Sequence, residues 1–189
     1  MRKLFKITLF TILLISSILG GGIVTMRLES HNREYQKIKM VDENVINKLK
    51  KIRAAQKRYL EVNKTYANSW DTLINFINNG EIPIIQKTEK VNTINGKDKI
   101  TITIDTLNVI SVFNSINEEI TLTKNEIKYL PITPFSKDTF TLHTSYRSGE
   151  NFIEVKDVNP LNPKRQKGGM LKPLRFGSKA AATIKGNWE

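Results

Sequence analysis

The chain of 189 residues contains no cysteine. That excludes a disulfide framework and thiolate-held metals, while leaving the redox compartment open. Histidine is almost as scarce. His31 and His143 are far apart and lack the paired spacing of a metal site. No Gly-x-Ser-x-Gly elbow, phosphate loop or dinucleotide fingerprint occurs. The acidic pairs Asp42-Glu43 and Glu118-Glu119 are sequence neighbours, and adjacent residues on a helix point apart. They read as surface charge rather than as a catalytic dyad. No catalytic residue, cofactor, metal or small-molecule substrate is therefore expected, and the chain reads as non-enzymatic. Proline and glycine are absent from Arg27 to Asn63, so nothing in that stretch interrupts a helix.

What is present is uneven positive charge. The net charge is +12. Residues 27–66 hold eleven basic and five acidic side chains, and residues 156–189 hold eight basic and two acidic. The middle, residues 67–155, is close to balanced. A basic stem and tail around a near-neutral centre favour contact with an anionic surface such as lipid head groups, cell-wall polymer or nucleic acid. The candidate contacts are Lys50, Lys51, Lys57 and Arg58 on the stem, and Lys164, Arg165 and Lys167 in the tail.

Arg2, Lys3 and Lys6 precede an uncharged run from Ile7 to Met26, marked by Ile7, Leu13, Leu19, Val24 and Met26. About twenty residues at 1.5 Å each match a hydrocarbon core of roughly 30 Å. Basic residues in front of the run place the N-terminus in the cytoplasm. The run reads as a retained signal anchor in the inner membrane, with the rest of the chain exported to the periplasm or beyond. The alternatives are a cleaved signal peptide ending at Gly20-Gly21-Gly22 and a buried core helix. The same glycines suit a helix-packing surface or simply the tolerance of membrane helices for glycine.

Beyond the run, Ile38, Val41, Val45, Leu49, Ile52, Gln56 and Tyr59 recur at intervals of three and four, a helical stripe that must cover something. Gln56 in the seam and fewer than three clean heptads argue against a coiled coil, so packing on a sheet of the same chain is expected. Lys48, Lys50, Lys51, Arg53, Lys57 and Arg58 fall largely off the stripe. They read either as a solvated face or as an attachment surface. The chain breaks at Asn63 and Lys64. Ser69 then caps a short helix carrying Trp70, Leu73, Ile74, Phe76 and Ile77. Asn78-Asn79-Gly80 should end it, with Gly80 left-handed, and Pro83 prevents its continuation.

Residues Ile52-Arg53-Ala54-Ala55-Gln56-Lys57-Arg58-Tyr59 and Asn63 to Leu73 resemble the end of the long N-terminal helix of type IV pilins and type II secretion pseudopilins. In that family an Ile-Arg-x-Ala-Gln-x-x-Tyr helix end leads through Asn-x-x-Tyr into a Ser-capped short helix. The resemblance spans roughly residues 45–80 and implies a membrane-rooted helix packed on the antiparallel sheet of a small α+β head. The family's processing-site pattern is not matched: Gly20–Gly22 follow most of the apolar run, no Phe follows them and no Glu stands at the matching place, so neither processing by a prepilin peptidase nor polymerisation into a pilus is expected. Leu174-Arg175-Phe176-Gly177-Ser178 and Gly186-Asn187-Trp188 also resemble segments of uncharacterised membrane-anchored envelope proteins of Bacteroidota. That resemblance implies an envelope location and no activity.

Lys99–Asp105 alternates isoleucine with polar residues, the clearest strand pattern in the chain, and Asn95-Gly96 before it signals a turn. Leu107–Ile116 is ambiguous between strand and helix. Ile120–Thr123, Glu126–Ile132, Asp138–Thr144 and Phe152–Val158 read as strands, with a turn at Ser148–Asn151. Residues 159–189 read as an irregular, partly mobile tail, in which Trp188 is either exposed or docked.

The expected architecture is α+β. A transmembrane helix (1–26) continues into a long stem helix packed on a small antiparallel sheet (27–158), followed by a basic irregular tail (159–189). The expected function is a structural or assembly component of an envelope, secretion or surface apparatus, with lipid and envelope proteins as partners. The alternative is an anchored binding module that holds peptidoglycan, anionic lipid or DNA through the basic stem and tail.

Overall fold

A computed structural model describes residues 2–94, 97–166 and 172–189, without the side chains of 2–15, 18–25, 92–94 and 97–99. The chain is α+β and divides into two compact units, residues 1–43 and 44–189. One helix, α1 (Arg2–Asn63), contributes to both.

In the first unit, residues 26–37 are exposed on every face of the helix. The helix is laced there by i,i+4 ion pairs, Glu29 with Arg33 (3.3 Å) and Lys39 with Glu43 (3.8 Å). Met26 is 73% exposed. The expected membrane residues Ile7, Leu13, Leu19 and Val24 lie outside the described side chains. Among the described residues, no helix is long and apolar enough to cross a membrane.

The second unit is a head built around the last turns of α1. Val45, Leu49, Ile52 and Ala55 lie in one core with Leu73, Ile77, Ile116, Phe140, Ile153, Val155 and Phe176. The stripe thus does pack within the chain from Val45 onward. Tyr59 is half-buried, edge-on to Phe76 at 4.9 Å between centroids. Ile38 and Val41, in the first unit, are only partly covered.

α1 stops at Asn63 because Lys64 turns left-handed (φ 62°) and its N–H bonds to the Leu60 carbonyl at 2.8 Å. Ser69 caps α2 (Trp70–Asn79), its hydroxyl accepting from the Thr72 N–H at 3.2 Å. Gly80 ends α2, but in an extended conformation (φ −75°, ψ 149°) rather than the expected left-handed one. Crowding requires the glycine instead: a Cβ there would lie 2.4 Å from the Phe76 carbonyl oxygen and 2.8 Å from Val112.

β1 (Glu81–Ile94) and β2 (Lys97–Ser111) form a long antiparallel hairpin, with Ile94 opposite Lys97 and a bulge at Ile84/Ile85. The expected turn at Asn95-Gly96 lies outside the described residues. The expected strand 99–105 is the middle of β2. β1 is not legible in the sequence because Pro83 argues against a strand. The proline is tolerated because β1 is an edge strand.

The ambiguity over Leu107–Ile116 resolves at Ser111. The strand ends there and Ser111 caps α3 (Val112–Glu119). Two expected strands are not strands. Ile120–Thr123 is a connection in which the Leu122 N–H bonds to the Asn117 side chain at 2.8 Å. Glu126–Ile132 instead contains the end of the short helix α4 (Lys124–Ile127) and a turn. The Glu126 carboxylate reaches back to the Thr123 N–H (2.8 Å) and hydroxyl (2.9 Å), fixing a helical turn where alternation alone suggests a strand.

β3 (Thr141–Arg147), β4 (Glu150–Lys156) and β5 (Arg175–Ser178) make a second antiparallel sheet in that order. Ser148 (φ 52°) and Gly149 (φ 84°) form the expected turn between β3 and β4. β5 corrects the expectation of an irregular tail. Val155 pairs with Phe176, whose ring is fully buried. Gly177, at φ 77°, lies so close to β4 that a Cβ would fall 2.0 Å from the Ile153 carbonyl oxygen. Asn187 ties the last residues down: its side chain accepts from the Arg175 N–H (3.1 Å) and donates to the Pro173 carbonyl (2.8 Å). Trp188 is docked rather than free, packed against the core and under Arg53 at 5.7 Å.

Candidate functional site

The basic face of α1 in the head is the feature from which a site can be built. Helical spacing sets Lys48 and Lys51 beside the buried stripe, so their stems run along the core's edge and both side chains are partly buried there. A surface groove of about 820 Å³ lies there, lined by Asn47, Lys48, Lys51, Glu126, Tyr129 and Leu130 among others.

Lys51 donates to Glu126 at 2.7 Å. That bond is the main reason the Glu126 carboxyl is pulled down from 4.5 to about 2, followed by the Thr123 N–H. Lys48 is half-buried. Desolvation pushes its ammonium pKa down, the Glu126 carboxylate opposes that, and neighbouring Lys51 adds to it. The groove thus has a cationic wall with one carboxylate already engaged.

Three other stem cations, though not Lys50, are also engaged by acids of the same chain. Arg53 meets Glu189 at 2.6 Å, Lys57 meets Glu119 at 3.5 Å, and Arg58 meets Glu61 at 2.8 Å. The Glu189 carboxyl is held below its usual range, chiefly by its bond from Arg53 and then by the Gly186 N–H, with Lys50 contributing at longer range. Much of the stem's charge is thus compensated inside the head, which the sequence tally does not reveal.

Of the expected tail contacts, Lys164 and Arg165 sit in a separate 3₁₀ turn (Pro163–Arg165) capped by Asn162. The Arg165 carbonyl accepts from the Lys172 N–H at 2.7 Å. Lys167 lies outside the described residues. His31 is exposed on α1, and His143 stands in β3 opposite Glu154. Among the described residues, no group of three or more histidine, aspartate or glutamate side chains could hold a metal ion.

Two residues that anchor this region do not stand out in the sequence. Spacing presents Gln56 only as a flaw in the apolar seam. It is 1% exposed and clamps Ala67 in both directions, accepting from its N–H at 2.9 Å and donating to its carbonyl at 3.0 Å. Glu154, 6% exposed, binds Arg175 at 2.7 Å and so secures β5 to β4. In neither case does sequence spacing name the partner. No protein family, curated protein or solved structure matches the chain.

Proposed function

We propose that this is a single-pass, membrane-anchored and non-enzymatic envelope protein that presents a small pilin-like α+β head. It serves as a structural or assembly component of an envelope, secretion or surface apparatus. The observation that carries this reading is the division of labour along one helix of 62 residues. Its last turns form the centre of a folded head. Its first third holds the uncharged run Ile7–Met26 behind Arg2, Lys3 and Lys6. A run of that length matches a bilayer, and the preceding charges favour an N-terminus in the cytoplasm. The buried stripe, the Ser69-capped helix and the antiparallel sheets accord with a pilin-like arrangement.

The partners of such a protein are lipid at the helix and envelope proteins at the head. The ion pairs of Lys51, Arg53, Lys57 and Arg58 within the chain favour this reading over an anchored module for anionic polymer, because engaged cations have less field to offer a ligand. Cross-linking in native membranes, followed by detergent solubilisation and pulldown, tests the choice. The expected result is a defined protein partner retained at high salt. Retention of anionic polymer alone, lost steeply as salt rises, would favour the binding module instead.

A further inference from the structure

The β1–β2 hairpin is a two-stranded sheet with no third strand among the described residues, an arrangement that is marginal in water by itself. Its register sorts the side chains sharply. Ile100, Ile102 and Ile104 share one face with Val91, Glu89 and Lys87, and the other face carries Thr101, Thr103, Asp105, Gln86, Thr88 and Lys90. The three isoleucines are 51–62% exposed.

Each strand also has an outer edge whose alternate backbone N–H and carbonyl groups face away from the hairpin. The two edges differ. β1 carries Pro83, Lys87, Glu89 and Lys90, the residues with which proteins blunt an edge. The middle of β2, Ile100 to Ile104, has no charge and no proline and is β-branched at every position. Such a segment is suited to strand addition.

We propose that the free edge of β2 pairs antiparallel with β2 of a second copy of this chain, about a two-fold axis through Ile102. The strand is its own complement in that register. Ile102 stands opposite Ile102 of the second copy, Ile100 opposite Ile104, Thr101 opposite Thr103, and the position of Lys99 opposite Asp105. Isoleucine meets isoleucine, threonine meets threonine, and opposite charges close both ends.

Neighbouring registers are worse. A one-residue slip sets the isoleucine face against the threonine face. Centring on Thr101 puts the position of Asp98 opposite Ile104, and centring on Thr103 leaves the positions of Lys99 and Asp105 without opposite charges. Residues 97–105 are electrically neutral in a chain of net charge +12, so two copies meet here with little of the repulsion they feel elsewhere. The product is a closed, isologous four-stranded sheet.

The inference goes beyond the envelope reading and is tested without reference to cellular location. Because the chain lacks cysteine, single cysteines placed at positions 100–104 and at Thr88 are the sole thiols in each full-length variant. The variants are oxidised in nonionic detergent and resolved on a non-reducing gel. Opposed residues at the axis have Cβ atoms within about 5 Å, close to disulfide reach. The expected result is a disulfide dimer that peaks at Ile102→Cys, with efficient mixed cross-linking of Ile100→Cys to Ile104→Cys. A flat profile, a peak at any other position including Thr88→Cys, or no dimer would overturn the pairing. In parallel, Ile102→Lys should convert the two-chain species to a single chain in sedimentation while the head still unfolds cooperatively, with a melting temperature that no longer depends on protein concentration. A wild-type chain that sediments as a monomer, or an Ile102→Lys chain that stays dimeric, would also overturn it.

Discussion

Replacing Gln56 by Leu tests how the stem helix is tied to the head. Gln56 is fully inside, and its amide makes a two-way clamp on the N–H and carbonyl of Ala67, itself 1% exposed. Leucine fits the seam and removes both bonds, leaving two backbone groups buried without partners. Each orphaned group costs about 1–3 kcal/mol. Burying leucine in place of an amide returns about 1–2 kcal/mol. The net loss is then about 3 kcal/mol, or roughly 6–12 °C in melting temperature for a domain of this size. Tryptophan fluorescence reports it, because Trp70 and Trp188 both pack against the core. Gln56→Glu adds a pH signature. An ionised carboxylate accepts from the Ala67 N–H but cannot donate to its carbonyl, whereas the protonated acid does both. Burial raises the carboxyl's pKa in the folded state above an unfolded value of about 4.3. The variant should therefore lie closest to wild type below about pH 4 and fall behind as pH rises. If Gln56→Leu unfolds within about 0.5 kcal/mol of wild type, the clamp does not hold the loop.

Phe176→Ala should cost about 3–5 kcal/mol by denaturant unfolding, since its ring is fully buried. Changing Lys164, Arg165 and Lys167 to glutamine should shift stability by less than about 1 kcal/mol each, and equal effects of the two sets would show that β5 does not belong to the core. For Glu126, the folded carboxyl pKa of about 2 lies below the ordinary value of 4.5, so its contribution is present above pH 4.5 and lost as pH falls toward 2. Its side chain is 45% exposed, so solvent screening keeps that loss below about 1 kcal/mol. Acid titration of Glu126→Gln alongside wild type should show the difference vanishing at low pH, and a constant difference across the range would contradict it.

The helical parts are largely legible in the sequence. Val45, Leu49 and Ile52 repeat at helical intervals, and Ser69 is a cap by chemistry, so local rules suffice. The strand at 99–105 is legible for the same reason, its period being two. What fails depends on partners remote in sequence. Thr123-x-x-Glu126 is a local capping-box pattern that alternation masks, but nothing near Glu126 reveals that it also meets Lys51, 75 residues away. Pro83 argues locally against a strand, and only its edge position permits one. Arg175–Ser178 is too short to show alternation, and it becomes a strand because Gly177 lets it approach β4. The site suffers most, because the positive face of α1 is compensated by Glu119, Glu126 and Glu189 from distant parts of the chain.

The central claim is that a membrane helix carries an exported head. With no native cysteine, Lys3→Cys and Glu118→Cys supply unique thiols on either side of the uncharged run, and Glu118 is exposed in the head. Intact cells whose envelope admits a small charged maleimide, but whose inner membrane does not, are labelled and then extracted with alkaline carbonate. The expected result is full-length protein in the membrane pellet, with the Glu118→Cys thiol labelled from outside and the Lys3→Cys thiol labelled only after lysis. A shorter soluble chain, or a Glu118→Cys thiol protected until lysis, would contradict the claim.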